Sequence, residues 1–96
     1  MSRYTLRQIA EILRLDPGFL DELAREEILT PDVPEASYSE QMLERARVCD
    51  ELVHELEVNL AGAAVIVRLR EEVVVLHQHV RVLALEVERT RTRNDE

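Results

Sequence analysis

The side chains here that could do chemistry are one cysteine, three histidines and twenty carboxylates. Metal binding would start from His77-Gln78-His79. Two positions apart on a helix, their side chains diverge by about 200°, because each residue turns about 100°. They do not converge on one ion, and no metal site is expected. Cys49, alone in the sequence, excludes an intrachain disulfide and a cysteine-built zinc site. It falls between Ala46 and Val53 on an apolar helical face and reads as a small buried hydrophobe. Paired-carboxylate catalysis needs a cleft, and these acids are spread over helix surfaces. Two glycines and 3% aromatic residues supply neither a phosphate-cradling loop nor an aromatic pocket. The chain is therefore expected to be no enzyme and to use no cofactor or small-molecule substrate. What remains is recognition by charge. Its candidate residues are Asp21, Glu22, Glu26 and Glu27 around a second helix, and Glu44, Asp50, Glu51 and Glu55 on a third.

Composition narrows the classes further. The formal net charge is -8, so a nucleic-acid partner starts at a disadvantage. Hydrophobic residues at 46% with charged residues at 33% suit a helical, coiled-coil-rich protein and argue against a sheet-dominated one. At 96 residues one small domain plus an extension is expected, near the size where oligomerisation helps a thin core. No signal peptide or long uncharged apolar run is visible, which predicts a cytoplasmic protein with no membrane partner.

Four helices position these groups. Thr5-Leu6-Arg7-Gln8 fits a capping box, and Leu6, Ile9, Ala10 and Leu13 form one apolar face of a helix ending near Arg14. Asp16-Pro17 starts the second, with Asp as N-cap and Pro at the first helical position; Phe19, Leu20 and Leu23 form its buried face. Two short helices joined by about three residues make a helix-turn-helix. Thr30-Pro31 breaks the pattern, and Asp32 to Ala36 reads as a loop or at most a very small hairpin. Ser39 caps the third helix, whose apolar positions are Met42, Leu43, Ala46, Cys49, Leu52, Val53 and Leu56, and which stops around Glu57. Tyr38, just before that cap, is placed to pack on Leu43.

Asn59 caps the fourth and longest helix, where Ala61, Gly62, Ala63 and Ala64 should allow close approach of helix three. Ile66, Leu69, Val73, Leu76, Val80, Leu83 and Val87 then recur at spacings of three and four, a heptad seam with His77 and His79 on its flanks. At about 1.5 Å per residue this run spans some 40 Å, too long to be buried by the preceding 58 residues, so the seam predicts a homodimer. Val65, Val67, Val74, Val75, Val82 and Leu85 widen the apolar surface beyond the seam. The division is 1–58 as a head, 59–87 as a dimerisation helix, and 88–96 as a polar tail expected to be disordered.

Tyr4-Thr5-Leu6-Arg7-Gln8-Ile9-Ala10, the helix-turn-helix, Ile28-Leu29-Thr30-Pro31, Tyr38-Ser39-Glu40 and the long last helix keep the order found in MerR-type regulators. Val58-Asn59-Leu60-Ala61-Gly62 with Ala63-Ala64-Val65-Ile66 resembles the chaperone-modulator branch of that group, the CbpM-like proteins, and is shared with HspR-like repressors. The resemblance runs from Tyr4 to Leu83. It implies an all-α fold: a MerR-like, winged-helix-like head followed by a long dimerisation helix. It also implies either binding to the J-domain of a DnaJ- or CbpA-type co-chaperone, regulating its partnership with Hsp70 (DnaK), or binding of operator DNA by a dimer. MerR-type relatives pair the long helix antiparallel. Ile or Val at a with Leu at d favours parallel pairs instead; the resemblance is followed, and an antiparallel coiled coil is expected.

Charge separates the two functions. A major-groove reader needs cations or amides on its recognition helix and further cations for phosphates. The equivalent helix here, Pro17 to Arg25, offers Asp21, Glu22 and a single Arg25, with Glu26 and Glu27 following. The segment Asp32 to Ser37, where a DNA-binding relative carries a basic wing, holds no cation, so the wing is vestigial. A J-domain's basic helix suits an acidic partner, because complementary charge steers encounter. The expected function is therefore modulation of a DnaJ-type co-chaperone, with DNA an unlikely partner and a MerR/HspR-like transcriptional regulator as the alternative.

Overall fold

Thr5 opens the first helix as its chemistry requires. Its Oγ1 accepts from the Gln8 N–H at 3.1 Å while its own N–H donates to Gln8 Oε1 at 2.9 Å. This reciprocal cap starts α1, Leu6–Leu13. The computed structural model describes residues 2–32 and 37–94. α1 ends at Arg14, in the left-handed region at φ 57°, which turns the chain so that the Leu15 N–H reaches the Ala10 carbonyl at 2.9 Å. α2, Pro17–Arg25, begins with proline at its first turn and buries Phe19, Leu20 and Leu23. Asp16 caps it differently from expectation. Its backbone carbonyl accepts from Phe19 and Leu20, but its side chain makes no cap hydrogen bond. The carboxylate lies over Gly18 instead, where an added Cβ would stand 3.0 Å from Oδ2.

Beyond α2, Glu27 at φ 59° folds Ile28 and Leu29 into the core. The connection to the third helix carries two isolated antiparallel bridges, Asp32 to Ser37 and Tyr4 to Tyr38. Tyr4 and Tyr38 exchange both backbone hydrogen bonds at 2.9 and 2.8 Å. The Tyr4 hydroxyl also donates to Glu40 at 2.6 Å, tying the amino end to α3. The expected loop thus has paired ends, and Val33, Pro34, Glu35 and Ala36 within it lie outside the described residues.

α3, Glu40–Asp50, is capped by Ser39 as its sequence predicts and is followed by a π-helical turn, Glu51–Glu55. That turn corrects the expected uninterrupted helix to Glu57. Its wider winding, seen where the Leu56 N–H bonds the Glu51 carbonyl at 3.1 Å, breaks the 3.6-residue period. Leu56 is consequently 67% exposed, although its spacing predicts the apolar face; Val48, upstream of the turn, is buried although it is not among the expected positions.

Asn59 Oδ1 accepts from the Gly62 N–H at 2.7 Å and starts α4, Leu60–Asn94. Ala63 and Val67 are the two buried side chains of this helix among the described residues. Ala63, wholly enclosed, lets the helix lie close to the head. Gly62 has a more local reason, since a Cβ there would come within 3.1 Å of both Asn59 Oδ1 and Val58 Cγ1. α4 runs on to Asn94 rather than ending at Val87, so the tail expected to be disordered is helical through 88–94. Regular hydrogen bonding continues there because Arg, Glu and Thr, polar as they are, do not interrupt a helix. The core is one cluster in which Ile9, Leu20, Leu23, Leu29 and Cys49 are fully enclosed. Thr5→Ala should lower stability by about 1 kcal/mol through loss of the cap, read as a thermal midpoint lower by about 4–8 °C. An unchanged midpoint would show that the cap contributes nothing.

Candidate partner-binding surface

α1 and α2 pack through their apolar faces and leave the outer side of α2 to solvent, where Asp21, Glu22, Arg25, Glu26 and Glu27 are all exposed. None of these five belongs to an ion pair within the described residues. The third-helix candidates stand in a different environment. Glu44 pairs with Arg47 at 2.6 Å and is approached by Arg70 of α4 at 3.6 Å. The Arg47 hydrogen bond holds its carboxyl below the usual range. Glu51 meets the same Arg47 at 3.1 Å, and Asp50 meets His54 at 2.8 Å. Glu55 is exposed on the π-helical turn. Among the described residues the eight carboxylates therefore divide into an unpaired group on and just after α2 and a largely paired group on α3 and the π-helical turn.

Two grooves lie beside them. One, of about 340 Å³, runs between the end of α2 and the start of α4, lined by Glu22, Glu26, Ile28, Leu60, Ala61 and Ala64. The other, of about 640 Å³, lies where α4 leaves the head and carries both signs of charge, from Arg45 and Arg68 to Glu71 and Glu72.

The most shielded ion pair between the head and α4 has no local sequence signal. Arg45 of α3 grips Glu71 of α4 with two hydrogen bonds, at 2.8 and 2.7 Å, and donates to the Ile28 carbonyl at 3.0 Å. Both side chains are largely shielded, at 15% and 27% exposure. These residues stand 26 positions apart, so only tertiary structure brings them together. Phe19 is buried as a core anchor, its ring 4.7 Å from that of His54 in an edge-to-face contact. Cys49 is fully buried and its thiol is pushed up to about 11, chiefly by burial.

The seam residues face away from the head. Ile66 is 38% exposed, and Leu69, Val73, Leu76, Val80, Leu83 and Val87 are more so. Val67 alone of the wider apolar set is in the core, whereas Val65, Val74, Val75, Val82 and Leu85 stay exposed. His77 and His79 are exposed between them. Within the described residues no helix is long and apolar enough to cross a membrane.

A short helix-turn-helix, a small paired connection and a long last helix, in that order, agree with comparison at the family level. The model of the MerR HTH family regulatory proteins matches residues 4–84. The chain belongs to the MerR helix-turn-helix family. No curated protein and no solved structure matches it. As a MerR-family regulatory protein it carries its helix-turn-helix in α1 and α2, and the residues on the outer side of its second helix are chiefly acidic. Near the base of the segment equivalent to the wing, Arg3 is paired with Asp32, so even that cation is neutralised.

The Arg45–Glu71 contact has a pH signature. Arg45 hydrogen bonding lowers the Glu71 carboxyl below its ordinary 4.5, against the opposing effect of burial. A lowered folded-state value means that the pair stabilises the fold fully above the ordinary carboxyl range, and that this is lost as pH falls through the lowered value. Glu71→Gln should cost about 1–2 kcal/mol at pH 7, with a smaller difference from the parent near pH 3, both read from urea unfolding. A difference independent of pH would refute the charge-assisted account.

Proposed function

We propose that this MerR-family protein is a CbpM-like chaperone modulator that binds the J-domain of a DnaJ- or CbpA-type co-chaperone and regulates its interaction with Hsp70. The carrying observation is the chemistry of α2. The helix that would read bases exposes Asp21 and Glu22 beside Arg25, and Glu26 and Glu27 are exposed directly after it. Residues 1–58 hold fourteen acids and six Arg, whereas 59–96 hold six of each, so the whole net charge of -8 lies on the head. Such a surface repels phosphates and attracts a basic helix. The contact candidates remain Asp21, Glu22, Glu26, Glu27, Glu44, Asp50, Glu51 and Glu55. A MerR/HspR-like DNA-binding regulator is the second reading, favoured by the family match and the helix-turn-helix itself.

Calorimetric titration of a J-domain at about 50 mM and about 300 mM salt separates the readings, since screening weakens contacts between exposed charges. Binding at the lower salt that weakens at the higher is expected. Absence of binding at low salt, or tight sequence-selective DNA binding in a mobility-shift assay, would overturn the proposal.

The working form is a homodimer joined along Ile66, Leu69, Val73, Leu76, Val80, Leu83 and Val87, with the two copies of α4 antiparallel. Their exposure supports this reading, because a run of aliphatic side chains is costly to leave in water, on the order of 1–2 kcal/mol each. Leu76→Glu with Val80→Glu should convert a sedimenting dimer to a monomer with the head still folded. A parent chain that sediments as a monomer at high concentration would refute the dimer.

A further inference from the structure

The acidic candidates differ in what surrounds them, and the difference selects one place on the head. Glu44, Glu51 and Asp50 are engaged with Arg47 and His54, and a partner's cation would have to displace those contacts. Glu22 and Glu26 have no such contact within the described residues. They sit four positions apart at the end of α2, where like charges repel across one turn. Below them lies the groove of about 340 Å³, with Ile28, Leu60, Ala61 and Ala64 as its apolar lining. The small side chains at 61 and 64 leave that floor open. Arg68, one turn beyond Ala64, is not part of that lining and reaches the Glu27 carbonyl at 3.5 Å.

An apolar floor beneath two carboxylates matches a long cationic side chain, whose methylene stem packs on apolar surface while its head stays hydrogen-bonded. We infer that this groove receives a Lys or Arg side chain from the basic helix of the J-domain, with its charge between Glu22 and Glu26 and its stem against Leu60 and Ala64. The inference rests on the J-domain reading above and names the contact within it. The larger groove near Arg45 does not compete for this occupant, because its Arg45–Glu71 pair and Arg68 leave no net attraction for a cation. A second copy of the chain is the other candidate occupant, and the dimer seam faces elsewhere.

The test measures J-domain affinity by calorimetry at low salt for the parent, E22Q/E26Q, A61L, E44Q/E51Q and E88Q. Ala61 is exposed, so leucine there fills the groove without entering the core. E22Q/E26Q and A61L should each weaken binding about tenfold or more, with thermal midpoints close to the parent's. E88Q, far along α4, should bind as the parent does. Parent binding that survives both groove variants within about twofold overturns the groove while leaving the J-domain reading intact. The groove is overturned as well if E44Q/E51Q alone weakens binding, or if E22Q/E26Q lowers dimer affinity in sedimentation. Failure of the parent to bind removes the J-domain reading itself.

Discussion

Arg45 ties together three parts of the chain that also meet in the apolar core. Its guanidinium is shared between Glu71 of α4 and the carbonyl of Ile28, just after the helix-turn-helix. Planar, multiply donating arginine suits this task better than lysine, because its fork engages a carboxylate with two parallel bonds and still has a donor left. Below the clamp, Ala63 and Val67 seat α4 on the core. Everything that depends on the angle between head and helix follows from this junction: the groove between α2 and α4, and the direction in which the exposed seam points. The clamp remains partly accessible to water, which moderates the cost of desolvating the two charges.

Two kinds of surface are segregated along the molecule. Net charge is confined to the head, while exposed aliphatic side chains are concentrated on α4, 35 residues of helix in a particle 62 Å long. Hydrophobic association is non-directional and strong, which suits a permanent partnership. Exposed charge steers encounter and is weakened by salt, which suits a reversible one. The helix-turn-helix scaffold of the family is thus kept, while carboxylates dominate the exposed side at and just after its second helix. Family membership carries the shape; the side chains on α2 carry the argument about partners.

Local rules are legible wherever the interaction is local. The Thr5 box, the Ser39 and Asn59 caps and Pro17 at a first turn all appear where residue types place them, because capping involves only neighbours within one turn. The departures have local causes too. A 3.6-residue period extrapolated through the π-helical turn puts Leu56 on a buried face, and the turn rotates it out. Residues 88–94 contain no proline or glycine, so their polarity does not interrupt the helix. Asp16 has the residue type of a side-chain cap, but the neighbouring Gly18 leaves open space into which its carboxylate turns.

Residue types and spacing alone were enough for the helical class, the order of the four helices, the side-chain caps of three of them, the apolar seam and the acidity of the head. Each of these is a property of residue type and spacing along one segment. Packing between distant segments decided that Arg45 meets Glu71, and that Val67 rather than the rest of the wider apolar set enters the core. It also decided which carboxylates are neutralised within the chain. Glu44 and Glu22 are alike as letters, an acid on an exposed helix face. One lies beside Arg47 and Arg70, and the other overhangs an apolar groove completed by a helix nearly forty positions later. That distinction arises from packing between distant segments, which no one-dimensional period contains.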